Sequence, residues 1–342
     1  MAVDTKKAFW EEKNTDFATA TPDFDFLHPQ FAEHDHSPEL TETQYLGFNI
    51  PEKDIHALCY IWHHPNLGVV TGGVWAWQGV KTNSLACEIF DFLTYVDDEC
   101  LAGDLHDYEL PNSYGVKVVE PLKKLRMRYS DPYRGNAIDV DFTAMMEPMV
   151  LSTGMHFEQG MRTSGTVTFA GVEHVVDAFT VRDRSWGQAR REAHVDAPPM
   201  GWMTCVFGDD FAFGTSAFDS EETNPEWKGV MKIPGGDPTR GGWILRDGDL
   251  VPVVSTVKRT IRNRQTLFPE GVEMTVTDAN GRNYEFRGTV TAASNWRTWH
   301  NFETVICLVR WECEGRVGYG DHQEVLFHDY IRQFIGDPRV GR

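Results

Sequence analysis

Two cations, a carboxylate, two hydroxyls and an indole fall within eight residues at Thr180-Val181-Arg182-Asp183-Arg184-Ser185-Trp186-Gly187. Upstream, His156-Phe157-Glu158-Gln159-Gly160 supplies an imidazole, a carboxyl and a carboxamide. The strand-like Gly165-Thr166-Val167-Thr168-Phe169 and a turn at Ala170-Gly171 join the two runs. Pairing as a hairpin would bring His156 and Glu158 to Asp183 and Trp186, at one edge of a sheet. Such a set could do acid–base chemistry, which needs a proton donor at neutral pH. A carboxylic acid in an apolar pocket keeps its proton near neutral pH, because burial disfavours the charged form. Asp183 and Glu158 are the candidate acids, and His156 is the candidate relay, because imidazole is the side chain whose unperturbed pKa lies nearest neutrality. Trp186, Trp202, Trp311 and Tyr319 could offer negative ring faces to a passing cation. Arg184 and Gln159 complete the candidate substrate-binding set.

Each of these residues has a structural alternative. Asp183 could pair with Arg182, Arg184 or Arg190 and lock the strand end, and such cationic neighbours would lower its pKa and spoil it as an acid. Trp186 could plug the base of a barrel against an arginine. His156 could be a satisfied structural histidine, and His322 and Glu324 could face either one interior or solvent. His34-x-His36 and His63-His64 lack a matching third ligand, so no metal site is expected.

The elements that must position these groups are strands. Leu58–Trp62, Gly68–Val80, Leu85–Tyr95, Lys124–Tyr129, Ile138–Met146, Thr163–Phe169 and Glu173–Arg182 alternate or are rich in β-branched and aromatic residues. A second series follows Pro198-Pro199, with turn signals at Gly208-Asp209-Asp210, Asp247-Gly248-Asp249 and Ala279-Asn280-Gly281. Helices are expected only around Asp104–Tyr108 and His328–Ile335. Roughly seven or eight strands on either side of residue 197 is the number that closes a small antiparallel barrel. The expected architecture is all-β: an N-terminal arm over 1–50, a first barrel over 51–197 and a second over 198–342.

Composition narrows the function classes. The 342 residues carry a formal net charge of -19, which repels nucleic acid and anionic lipid surfaces. No apolar run reaches the ~18–20 residues of a membrane span, and the first fourteen residues are charged, so a cytoplasmic protein is expected. The six cysteines are widely spaced, with no C-x-x-C pair, which suits buried free thiols. The 42 aromatic residues, 11 of them Trp, could line a cavity for an apolar ligand. Phosphate-loop, dinucleotide, HExxH and GxSxG signatures are absent, so NTPases, nicotinamide enzymes, zincins and α/β-hydrolases lose ground.

The order and spacing of His156-Phe157-Glu158-Gln159-Gly160, Gly165-Thr166-Val167 and Arg182-Asp183-Arg184-Ser185-Trp186-Gly187 resemble the paired lipocalin-like proteins of the carotenoid 1,2-hydratase and AttH-like superfamily, in a branch with an R-D-x-S-W-G signature. Gly318-Tyr319-Gly320-Asp321-His322-Gln323-Glu324 resembles the same branch's C-terminal strand. The resemblance implies calycin-type barrels with a ligand cavity, and relatives that hydrate, dehydrate or cyclise apolar isoprenoid or polyketide molecules without a cofactor. The expected activity is therefore acid–base chemistry on a terpenoid-like small molecule, by a lyase or isomerase that could be a homodimer. The alternative is a non-catalytic carrier of lipids or sterols, since such barrels bind apolar ligands without chemistry.

Overall fold

Alternating apolar positions punctuated by Gly, Asp and Asn produce a chain dominated by strands. The computed structural model describes residues 13–190, 197–296 and 301–335. In chain order the strands are β1 (Phe17–Ala18), β2 (Leu40–Ile50), β3 (Ile55–His64), β4 (Val69–Gln78), β5 (Val80–Lys81), β6 (Ile89–Asp97), β7 (Asp107–Glu109), β8 (Gly115–Glu120), β9 (Lys124–Asp131), β10 (Asn136–Ala144) and β11 (Met149–Leu151). They continue as β12 (His156–Phe169), β13 (Val172–Ala189), β14 (Met200–Gly208), β15 (Phe211–Phe218), β16 (Thr239–Arg246), β17 (Asp249–Arg262), β18 (Pro269–Asp278), β19 (Asn283–Trp296), β20 (Phe302–Cys313) and β21 (Arg316–Phe327). Two α-helices accompany them, α1 (Gln30–His34) and α2 (His328–Phe334). The second coincides with a helix expected from sequence. The one expected around Asp104–Tyr108 does not form: Leu105 takes a φ of 66°, which breaks a right-handed helix, and β7 begins two residues later.

The chain forms two compact units. Residues 17–77 and 87–190 make the first; 13–16, 78–86 and the described residues from 197 onward make the second. Leu40–Ile50, expected to belong to an N-terminal arm, is instead β2, paired with both β3 and β13 and buried along its whole length. The first twelve residues of that arm lie outside the described residues.

The first unit is a 12-stranded sheet whose main path runs β6-β4-β3-β2-β13-β12-β10-β9-β8-β7, with β11 attached to β12 and β1 to β11. Its end strands do not pair, so it is a curled half-barrel. In the second unit the order is β18-β17-β16-β15-β14-β21-β20-β19, and pairing of β18 with β19 closes an eight-strand barrel. β5 adds to β19 in parallel.

Side chains fill both interiors. Leu46, Phe48, Val74, Met127, Phe142 and Met161 belong to the buried cluster of the first unit. In the second, Met203, Phe213, Phe286 and Trp311 pack together, with Trp311 edge-on to Phe213 at 5.5 Å.

The second barrel also encloses charge. Lys258 Nζ lies 2.5 Å from Asp219 Oδ1, 3.0 Å from Thr260 Oγ1 and 3.5 Å from Glu324 Oε2. Arg262 bridges Asp219 Oδ2 at 2.7 Å and the Glu324 carboxylate, and His322 Nε2 lies 2.8 Å from Glu324 Oε2. Lys258, Glu324 and His322 stand cross-strand from the core residues Met274, Val305 and Cys307, so this network shares the barrel's interior face. Burial pushes the Glu324 carboxyl up, but Arg262 and Lys258 together hold it far below the usual carboxylate range. Burial pulls His322 below its ordinary value.

Candidate functional site

The hairpin expected from sequence is present: β12 and β13 pair antiparallel from Phe169–Val172 at the turn to His156–Ser185 at the far end. The far end is not a sheet edge, because β13 also pairs with β2, and β12 with β10 and β11. The two-residue period of the strand then divides the polar run between opposite faces. Arg182 and Arg184 face the same way as Met161 and Leu46, toward the core. Asp183 and Ser185 face the other way, with His156 and Glu158 as their cross-strand neighbours.

On the core-facing side, the segment before β2 supplies the partners. Arg182 Nη1 donates to Asp25 Oδ1 at 2.5 Å, and its Nε and Nη2 donate to Gln159 Oε1 at 3.0 and 2.7 Å. Gln159 Nε2 in turn donates to the carbonyls of Leu122 and Met146. Arg184 Nη1 reaches the carbonyls of Phe24 and Phe26 at 3.1 and 2.6 Å, and its Nη2 donates to Glu42 Oε2 at 3.2 Å. Burial pushes the Glu42 carboxyl up, but hydrogen bonding from His28 and the charge of Arg184 bring it below its ordinary value. Trp186 stacks on His28 at 4.2 Å with ring planes 4° apart, and meets Phe24 at 4.7 Å. Of the residues expected to bind substrate, Arg184 and Trp186 are thus engaged with the N-terminal segment and β2, and Gln159 with Arg182 and the Leu122 and Met146 carbonyls; all three are almost wholly buried.

A different group meets on the opposite face. His156 Nδ1 lies 2.8 Å from Ser185 Oγ, and its Nε2 lies 3.6 Å from Glu158 Oε1. His156, Glu158 and Ser185 are 3%, 5% and 2% exposed; Asp183, directly across from Glu158, is half-buried. Tyr45 is the next cross-strand neighbour of Asp183, and Tyr60 the neighbour of Tyr45. Burial raises the Tyr60 phenol above its ordinary pKa, with Arg190 and Asp183 both close enough to act on its charge. Of the arginines near Asp183 in sequence, Arg182 and Arg184 lie on the opposite face and pair with Asp25 and Glu42.

The remaining candidates lie in the second unit. Trp311 is fully buried in the barrel core; Trp202 and Tyr319 are half-buried on β14 and β21, cross-strand from Gln323 and Arg310 respectively. An open basin of about 770 Å³ on that unit is lined by Arg259, Arg310, Glu273 and Glu312, whose charges pair along it, so it is not an apolar hollow. Among the described residues no group of three or more His, Cys, Asp or Glu side chains could hold a metal. None of their helices is long and apolar enough to cross a membrane.

Sequence reasoning did not single out Tyr45, Tyr60 or Met145, Met146 and Met149, which border the cluster. Tyr45 lay in the supposed arm, Met145 and Met146 ended an expected strand, and Met149 fell between two of them.

Tandem antiparallel barrels with filled interiors and a polar cluster on one strand pair define a lipocalin-like, calycin-type architecture. The chain belongs to the family described as a domain of unknown function, DUF7064, whose model matches residues 26–327. In fold it is similar to an AttH candidate from Nitrosomonas europaea, at 13% identity and a TM-score of 0.50 over 84% of this chain and 92% of that one. Kievitone hydratase from Nectria haematococca is similar at 12% identity and a TM-score of 0.50, over 94% of this chain and 99% of that one. The likeness is one of fold, in line with the lipocalin-like architecture that the resemblance implies. No curated protein matches the chain in sequence.

Proposed function

We propose that the protein is a cofactor-free enzyme that adds water to, or removes it from, an apolar terpenoid-like molecule, or rearranges a double bond in one, by acid–base chemistry at Glu158, Asp183 and His156. The observation that carries this reading is the convergence of two carboxyls and an imidazole on one sheet face, opposite to the face on which Arg182 and Arg184 pair with Asp25 and Glu42. In the hydration direction, a carboxyl of the Glu158/Asp183 pair gives its proton to one alkene carbon. Water then bonds to the neighbouring cationic carbon and loses a proton to the resulting carboxylate, directly or through His156. The phenols of Tyr45 and Tyr60 offer ring faces to the transient cation. The hydratase named among the fold relatives supports the reaction class, as fold-level analogy. Free thiols throughout the described residues fit a cytoplasmic setting.

The test is deuterium incorporation from D₂O into a panel of isoprenoid alkenes and tertiary alcohols, which registers reversible protonation even without net conversion. Glu158→Gln and Asp183→Asn should each lower exchange by about 10²-fold or more. Full exchange in both variants would remove the acid–base reading.

A further inference from the structure

Glu158 is bordered by sulfur. Its cross-strand neighbour on β11 is Met149. Two residues along β12 on the same face is Gly160, and a Cβ built there would lie 3.2 Å from Met146 Sδ and 3.8 Å from Met145 Sδ. The segment carrying these thioethers is anchored by its backbone: Met145 N donates to Gly160 O at 3.0 Å, and the Met146 carbonyl accepts from Gln159 Nε2 at 2.9 Å. The side chains of Met145 and Met146 are only partly buried, whereas Met149 is 1% exposed. The anchored backbone thus carries two partly exposed thioethers over a floor that lacks a side chain at the one position where one would lift them.

We infer that Met145, Met146 and Met149 are the substrate-facing wall of the site, and that the hydrocarbon part of the ligand packs against their thioethers above Gly160 while its reactive carbon meets Glu158. This inference rests on the acid–base reading for the identity of the reactive end, but the wall itself stands on packing alone. Methionine is unbranched and polarisable, so it adapts its surface to an apolar ligand and offers no hydrogen bond to a polar one. Such a wall selects branched or polyene hydrocarbon over sugar- or phosphate-like molecules, and it tolerates variation in chain shape. A larger residue at 160 would push the Met146 thioether outward, toward the side from which the ligand would approach.

The experiment is methyl NMR on protein labelled with ¹³C at its eleven methionine methyls, assigned by single Met→Leu replacements and titrated with farnesol, with glycerol as the polar control. The expected result is a saturable shift of the Met145, Met146 and Met149 methyls with farnesol and none with glycerol. Gly160→Val, checked for folding by circular dichroism, should weaken farnesol binding about tenfold. Where that variant does not fold, Met146→Ser takes its place with the same expectation. Farnesol shifts that are absent, or spread over methionines remote from β11 and β12, overturn the inference, as does unchanged affinity in a folded Gly160 or Met146 variant. Glu158→Gln separates the two readings. Binding retained in that variant, with wild-type exchange from D₂O both there and in Asp183→Asn, would defeat the acid while the wall stands; loss of exchange without methyl shifts would defeat the wall while the acid stands.

Discussion

Adjacent residues on β13 have opposite fates: Arg182 and Arg184 each meet a buried carboxylate from the segment before or at the start of β2, while Asp183 and Ser185 meet Glu158 and His156. Removing one member of a buried ion pair leaves the other charged and desolvated, so Asp25→Ala should cost about 3–5 kcal/mol. Urea unfolding would show this as a lower midpoint with an unchanged slope. A second prediction concerns pH. His64 is buried beside Trp62, with His63 and Arg190 adding like charge, and burial first of all brings its pKa from 6.5 to about 4. Below about 6.5 the unfolded chain binds a proton that folded His64 refuses until about pH 4. Stability from this group is therefore complete above pH 6.5, falls as the pH drops toward 4, and levels off beneath it. Urea midpoints at several pH values check the slope, and His64→Phe should flatten it.

Among the elements, the β12–β13 hairpin depends on one irregularity. The register shifts between Ser185 and Gln188, and Gly187 in this bulge takes a φ of 64° with the Phe31 ring 2.5 Å from where a Cβ would be. Gly187→Ala should therefore cost about 1–3 kcal/mol through backbone strain. It should also displace α1, seen as faster amide exchange over residues 22–34. The hairpin itself was legible in the sequence, because the Ala170-Gly171 turn and the alternation of Val167 to Phe169 are local signals. So was the Asn280-Gly281 turn between β18 and β19. β2 was not legible. Its Thr41, Gln44 and Asn49 look like loop residues, yet each is buried and hydrogen-bonded: Thr41 Oγ1 donates to the Gln188 carbonyl, Asn49 Nδ2 to that of Phe179, and Gln44 Oε1 accepts from Tyr108. A strand covered on both faces needs no polar–apolar alternation, and its partners lie more than a hundred residues away or on another element. The site was half legible for a related reason. The run around Asp183 announced chemistry, but which residues shared a face depended on register, and the methionine wall depended on a chain crossing that no local pattern encodes.

At the scale of the whole molecule, the two units hold charge differently. The first buries ion pairs where an N-terminal segment meets the sheet; the second encloses two carboxylates, a lysine and an arginine inside a closed barrel. Lys258→Met should destabilise the second unit by about 3–5 kcal/mol, because Asp219 and Glu324 would then share one cation. Adding Asp219→Leu should recover a good part of that loss. Denaturation followed by tryptophan fluorescence would compare the single and double variants.

Closure has one more consequence. The second barrel pairs its first and last strands, whereas the first leaves β6 and the three-residue β7 at the ends of its path. β6 is nine residues long and carries Phe90 and Tyr95 with substantial exposure. A terminal strand of that length is a template onto which another chain can add, and aspartates at 91 and 97 are the only charges it sets against this. When the protein is warmed or concentrated, self-association will therefore start from Ile89–Asp97, and a lysine in place of Phe90 is the single change that should most delay it.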